Sequence, residues 1–370
     1  MSMTMRMTMT MTMGMRIGNG ILPAAMALLV SGTSAAGQEV GRVPLFASDE
    51  PIELTLTADF NALEGDRRGE APERPATVTM TGAAGEELSL DAQLRTRGRF
   101  RRDRANCSFP PLRINFKKQQ VEGTVFGGQN KLKIVGSCRP NRDSYEQLVL
   151  QEYLAYRTFQ SVGATAFQVR LARITYVDIS GDDEPFTRFA FFIEDDDAMA
   201  MRVSASVLDV PEGRNLPPDF LDPSHAATLS VFQYMIGNTD WSDVAAHNTE
   251  LLDMAGTGIP VPYDFDFAGI VNAPYSTPDP TLNLRSVRER FYRGWCWSGL
   301  DMGSVLGQFR GAEDDIVTLY EDFPYLKGGE RKRALSYLSG FFDDIETDRR
   351  AESLFLRDCR TVPSRTAARN

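Results

Sequence analysis

Along the first half of the chain, apolar and polar residues alternate with a period of two. Ile52 to Thr57 (IELTLT) and Ala76 to Met80 (ATVTM) put apolar side chains at every second position, the pattern of half-buried strands. Leu88 to Leu94, Leu112 to Phe116 and Leu132 to Val135 continue it. The period then lengthens: Tyr145 to Phe159 (YEQLVLQEYLAYRTF) sets Leu148, Leu150, Tyr153, Leu154 and Phe159 along one helical face. Two more strands, Gln168 to Val177 and Phe186 to Ile193, flank the turn-rich SGDDEP. After the acidic stretch Glu194 to Asp197 the character becomes helical, with segments Ala226 to Ile236, Glu313 to Tyr320 and Arg331 to Asp344. Pro217, Pro218 and Pro223 punctuate the junction, and no internal repeat is present. The outline is α+β: a strand-rich part with one helix over 45–195, a mainly helical part over 196–360, and a tail over 361–370 expected to be disordered.

The N-terminus reads differently. Met1 to Met15 alternates Met and Thr, a low-complexity stretch that cannot bury a specific core. Arg6 and Arg16, the apolar run Ile21 to Val30 and the small residues SGTSAAG follow in the order of a secretory signal peptide, 1–37. The run is far shorter than the roughly 20 residues that span a bilayer, and no other stretch of the chain is apolar enough to do so. Cleavage after Ala36 or Gly37 would deliver a mature chain, free of any transmembrane segment, to the periplasm or the medium. The four cysteines, Cys107, Cys138, Cys296 and Cys359, allow three pairings in that oxidising setting. Sequence proximity favours Cys107 with Cys138 and Cys296 with Cys359. A zinc site is the rival reading, weakened by the lack of a CxxC pair and by only two histidines, His225 and His247.

A net charge of −10 argues against nucleic acid as a partner. Within this acidic chain, however, six arginines occupy the ten positions Arg95 to Arg104 (RTRGRFRRDR). They read either as a solvated hairpin tip or as an anion site, since guanidinium groups contact phosphate and carboxylate in pairs and Gly98 lets backbone approach a ligand.

The helical part carries a second polar constellation: Gly237 to Ser242 (GNTDWS), then His247-Asn248, then a strand-like segment into PYDFDFAG, Pro262 to Gly269. Asp and Asn in a loop commonly do no more than cap and turn it. Asp264 and Asp266, by contrast, fall two apart on the strand pattern and so share a face, where two carboxylates without a cation repel. His247 reads as structural, and Trp241, Trp295 and Trp297 as core or pocket wall. Glu194 to Asp197 reads as a solvated acidic loop ahead of a calcium site.

With the Arg97-Gly98 turn, the basic strand PPLRINFKK, the helix Tyr145 to Phe159 and the strand FAFFIED, this constellation resembles the CotH-type (spore-coat protein H) kinase-like family, over roughly Leu88 to Gly269. The resemblance implies a two-lobed protein-kinase-like fold, with a strand-rich N-lobe carrying one helix and a mainly helical C-lobe. It implies ATP and Mg²⁺ (or Mn²⁺) as cofactors, and an extracytoplasmic protein or small molecule as phosphoryl acceptor. Carried over, Asp240 is the catalytic-loop aspartate, Asn248 and Asp264 are metal ligands and Asp266 is a possible second ligand. Lys133, with Lys131 as alternative, would bind phosphate, held by Glu152 in preference to Glu146. Arg97 and Gly98 would cover the phosphates, and Glu194 would sit at the hinge where backbone meets adenine. Eight positions separate Asp240 from Asn248, against roughly five in the common H-R-D-x-x-x-x-N loop, and no GxGxxG loop is present. The alternative from a different class is a non-catalytic envelope or secreted protein that uses the cleft to bind carbohydrate or a protein partner.

Mass spectrometry of the protein recovered from its native compartment should find an N-terminus near Gln38. An intact Met1 in that fraction would sink the signal-peptide reading.

Overall fold

The computed structural model describes residues 43–363 apart from 83, 84, 164, 182 and 358. The expected signal peptide lies outside the described residues. The alternating segments form β1 (Ile52–Ala58), β2 (Arg74–Thr81), β3 (Glu87–Thr96), β4 (Leu112–Phe116) and β5 (Lys131–Val135). Short helices α1 (Phe60–Gly65) and α2 (Lys118–Val121) interrupt them. The long helix α3 (Asp143–Ser161) follows, then β6 (Val169–Asp178) and β7 (Phe186–Ile193).

These seven strands close into a barrel in the order β1-β2-β3-β4-β5-β7-β6. All neighbours are antiparallel except β1 and β6, which pair in parallel from Ile52 with Ala172 to Ala58 with Asp178. Every second side chain points inward, so Leu54, Leu56, Val78, Leu90, Leu94, Ile114, Leu132 and Ile174 fill the lumen.

Barrel closure corrects the expectation of a two-lobed protein-kinase-like fold whose N-lobe is strand-rich with one helix. The strand-rich part is a closed seven-stranded barrel, and three helices, α1, α2 and α3, are embedded in its sequence. The physical reason lies in β1. Left at an edge it would present a row of unpaired N–H and C=O groups, and pairing with β6 removes that edge.

The rest of the chain is mainly helical: α4 (Asp196–Arg202), β8 (Ser206–Val207), α5 (Pro223–Ile236), the hairpin β9 (Thr249–Met254) and β10 (Thr257–Pro262), and β11 (Trp295–Cys296). Helices α6 (Met302–Gly311), α7 (Glu313–Glu321), α8 (Gly328–Ile345) and α9 (Asp348–Phe355) precede β12 (Arg360–Thr361). Helix α5 shows why it starts and stops where it does. The Asp222 carboxylate accepts from the N–H of His225 at 2.9 Å, Pro223 stands in the first turn, and Gly237 ends the helix in the left-handed region at φ 68°. One apolar core joins α3 to this half: Tyr153, Tyr156 and Phe159 from α3 share a cluster with Phe232 of α5 and Phe341 of α8. Among the described residues no helix is long and apolar enough to cross a membrane.

Both disulfides favoured by sequence proximity form, Cys107–Cys138 and Cys296–Cys359. The first is buried and ties the long β3–β4 connection to the residues after β5. Its two cysteines are 31 positions apart, a loop whose closure stabilises by about 3 to 4 kcal/mol in the chain-entropy account. Replacing both by serine should lower the urea-unfolding free energy by about that amount. A loss below about 1 kcal/mol would show that the link does not constrain the chain in this way.

Candidate functional site

A cleft of about 780 Å³ opens where the β3–β4 connection faces the loops after α5 and β10. Asp240, Asn248 and Asp264 all line it. Local structure explains how residues so spaced meet. The left-handed turn at Gly237 aims the chain into Asn238–Asp240, and the Asn238 side chain accepts from the N–H of Asp240 at 3.0 Å. Ser242 and His247 then exchange two backbone hydrogen bonds, 2.9 and 3.1 Å, which fold the intervening residues into a small loop. The extra length between Asp240 and Asn248 is absorbed there. The Asn248 amide donates to both the backbone oxygen (2.7 Å) and the carboxylate (3.1 Å) of Asp240, which leaves its own Oδ1 free of that contact. Next to it the register of the β9–β10 hairpin sets Thr249 opposite Pro262, and the N–H of Tyr263 donates to Asn248 O at 3.1 Å. Asp264 is thereby delivered beside Asn248.

Asp264 itself is left-handed at φ 60°, a conformation that side chains rarely adopt. Its N–H is held by the Tyr156 hydroxyl of α3 at 2.8 Å. Asp264 and Asp266 lie just past the end of β10 rather than on it, yet both reach one cation. That cation is Arg101, in the 3₁₀ turn Phe100–Arg102 of the arginine-rich connection. Its guanidinium lies 3.0 Å from Asp264, 3.3 Å from Asp266 and 3.5 Å from Glu152 of α3.

One guanidinium thus serves three carboxyl groups, and the imbalance shows in their affinities for protons. Burial, reinforced by the neighbouring Asp264 charge and opposed by Arg101, pushes Asp266 up to about 7. Burial pushes Glu152 up to about 8, again against Arg101. At Asp264 burial is outweighed by Arg101 and Arg97, and its carboxyl falls below the ordinary carboxylate value. Glu152 Oε1 is buried with no hydrogen-bond partner, and the Tyr275 hydroxyl donates to Asp266 at 3.1 Å.

The remaining residues singled out by sequence divide. Arg97 and Gly98 line the cleft, Gly98 at φ 78° with open space where a Cβ would stand. Lys133 does not meet Glu152; its ammonium pairs with Asp196 at 2.5 Å and lies 5.1 Å from the Tyr263 ring and 5.3 Å from that of Phe167. Lys131, on the same strand, is exposed. Glu194 is fully buried away from this group, its carboxylate taken by two 2.8 Å bonds from Arg202 and its backbone N–H donated to Gln168. Arg101 was hidden among six arginines, and no local signal marks which of them is buried. His247, read as structural, lines the cleft and meets Asp240 at 2.8 Å.

No family model matches this chain, and no curated protein matches its sequence. The chain is similar in structure to a proinflammatory kinase of Helicobacter pylori, CtkA, at 10% identity and a TM-score of 0.36, over 80% of this chain and 96% of that one. A likeness of that extent fixes neither fold nor activity.

The bond from Asp240, partly offset by burial, raises the His247 imidazole above its ordinary value. The charged pair therefore contributes fully below about pH 6.5, the ordinary histidine value, and its contribution is lost as pH rises through the raised one. An NMR titration of the protein should place His247 above about 6.5, and Asp240→Asn should bring it down. A wild-type midpoint at or below 6.5 would refute the pairing.

Proposed function

We propose that the protein transfers a phosphoryl group from a divalent-metal ATP complex to a hydroxyl acceptor outside the cytoplasm. The observation that carries this reading is the convergence of Asp240, Asn248 and Asp264 on one cleft. The donor set fits a hard divalent cation: Asp264, Asp266 and the free oxygen of Asn248 are all oxygen ligands, which suits Mg²⁺ or Mn²⁺. The buried Glu152 Oε1, which has no hydrogen-bond partner beside this group, supports the same fit, because a divalent ion would bring positive charge close to it. When bound, that ion would neutralise charge on the transferring phosphates.

The chain's own residues would do the rest. Asp240 is half-exposed at the cleft and steadied by His247 and Asn248, so its carboxylate is placed to accept the proton of an attacking hydroxyl. Arg97 faces the cleft near Asp264 and pairs with no described carboxylate within salt-bridge distance, which leaves its guanidinium available to phosphate oxygens. Arg101, fixed by Glu152, would hold Asp264 in place and add positive charge beneath the phosphates, the part first assigned to Lys133. Two disulfides are compatible with an exported protein.

A second reading has its own observation. Arg101 already bridges Asp264 and Asp266, and among the described residues no group of three or more His, Cys, Asp or Glu side chains is arranged to hold a metal. On that reading the cleft binds a carbohydrate or protein partner without catalysis.

A thermal-shift titration separates the two. ATP at about 100 times its dissociation constant should stabilise the wild type by about 2.7 kcal/mol, and only with Mg²⁺ or Mn²⁺ present. Asp264→Ala should abolish that metal-dependent shift. Asp240→Ala should keep it and lose transfer by about 10² to 10⁴-fold. A shift that ignores the metal, or survives Asp264→Ala, would reject phosphoryl transfer.

A further inference from the structure

The loop that carries Asp240 is held from a distant part of the chain. Asp243, three residues on, is fully buried. Its Oδ2 accepts from the Trp295 indole at 2.7 Å, and its Oδ1 accepts from Arg360 at 3.3 Å and from the N–H of Val244 at 3.0 Å. Arg360 lies 3.9 Å from the centre of the Trp295 ring, so one side chain both stacks on the indole and neutralises the carboxylate that the indole binds. A buried carboxylate needs such a partner, and with Arg360 removed Asp243 would either take up a proton or move toward water.

Arg360 stands in β12, a strand of two residues whose only sheet partner among the described residues is β11, Trp295 opposite Arg360 and Cys296 opposite Thr361. So short a ladder is marginal alone. The Cys296–Cys359 disulfide closes it covalently, next to both members of the Trp295–Arg360 stack. The same segment grips the loop a second time: Arg293 donates to the backbone oxygen of Thr239 and lies 5.8 Å from the Trp241 ring.

We propose that Arg360 is a positioning residue of the cleft: through buried Asp243 it fixes the loop bearing Asp240, and the Cys296–Cys359 disulfide keeps Arg360 in place. What the fixed loop is for rests on the phosphoryl-transfer reading; that it is fixed in this way does not.

The experiment therefore has two readouts on the full exported chain: amide hydrogen exchange, and steady-state transfer from ATP with Mg²⁺. In Arg360→Met the amides of residues 239–248 should exchange about tenfold or more faster while those of the barrel strands keep their rates. The kcat should fall about tenfold and the ATP KM should rise by less than that, because the loop carries the proton acceptor and one metal ligand, Asn248, while Asp264 and Asp266 lie outside it. Arg360→Lys, which keeps the charge, should recover most of both. The pair Cys296→Ser with Cys359→Ser should loosen the same amides with Arg360 still present, and it serves if Arg360→Met does not fold. Unchanged exchange over 239–248 in Arg360→Met and in the serine pair would overturn the proposal, as would loosening spread evenly over the C-terminal helices. If the wild type transfers no phosphate, the functional reading falls and the exchange pattern still decides the positioning role.

Discussion

The arrangement of the cleft depends on one buried guanidinium. Arg101 reaches three carboxylates from two separate parts of the chain, Glu152 on the long helix and Asp264 and Asp266 beyond the hairpin, from a turn between two barrel strands. Taking it out of water is costly, and the cost is offset only because three acidic groups surround it. The converse also holds. Burial pushes Glu152 and Asp266 up against the pull of Arg101, whereas Arg101 and Arg97 together hold Asp264 below the ordinary carboxylate value.

Holding a guanidinium in that position requires its connection to be rigid, and the sequence around it explains how. Cys107 is tied to Cys138, and Arg67 donates to the backbone oxygens of Arg102 and Cys107. Phe100, beside Arg101, packs its ring 5.1 Å from Phe267 and 5.6 Å from Tyr275. The basic segment is therefore not uniform. Arg99 and Arg104 are exposed to water, whereas Arg101 is carried inward by the turn and by the apolar contact of its neighbour.

This divides what was legible in the sequence from what was not. Period-two alternation reports which side of a strand is buried, and it located the strands of the barrel. It says nothing of partners, and the pairing of β1 with β6 joins residues some 120 positions apart, which is why closure was missed. The constellation around Asp240, Asn248 and Asp264 was readable because its members lie within a short stretch whose turns have local signatures. The ion pair of Glu152 was not, since Lys133 and Arg101 are both basic and only the tertiary path of each backbone decides which one arrives. Glu194 was read as the start of a solvated acidic loop, but it is fully buried just past β7, and Arg202, one helix later, takes its charge.

The two disulfides then acquire a common meaning. Each lies next to a segment that brings an arginine to a buried acidic partner: Cys107–Cys138 beside the connection carrying Arg101, and Cys296–Cys359 beside the strand carrying Arg360. Neither connection has the regular hydrogen bonding that would hold it alone, one being an irregular loop and the other a two-residue ladder. A buried charge is stabilised only while its partner keeps its geometry, since a shift of an ångström or two exchanges a hydrogen bond for an unpaired ion. Covalent closure next to such a pair narrows the excursions of the weaker backbone. Both sides of the cleft, the one bearing the cation and the one bearing Asp240, therefore rest on the same solution.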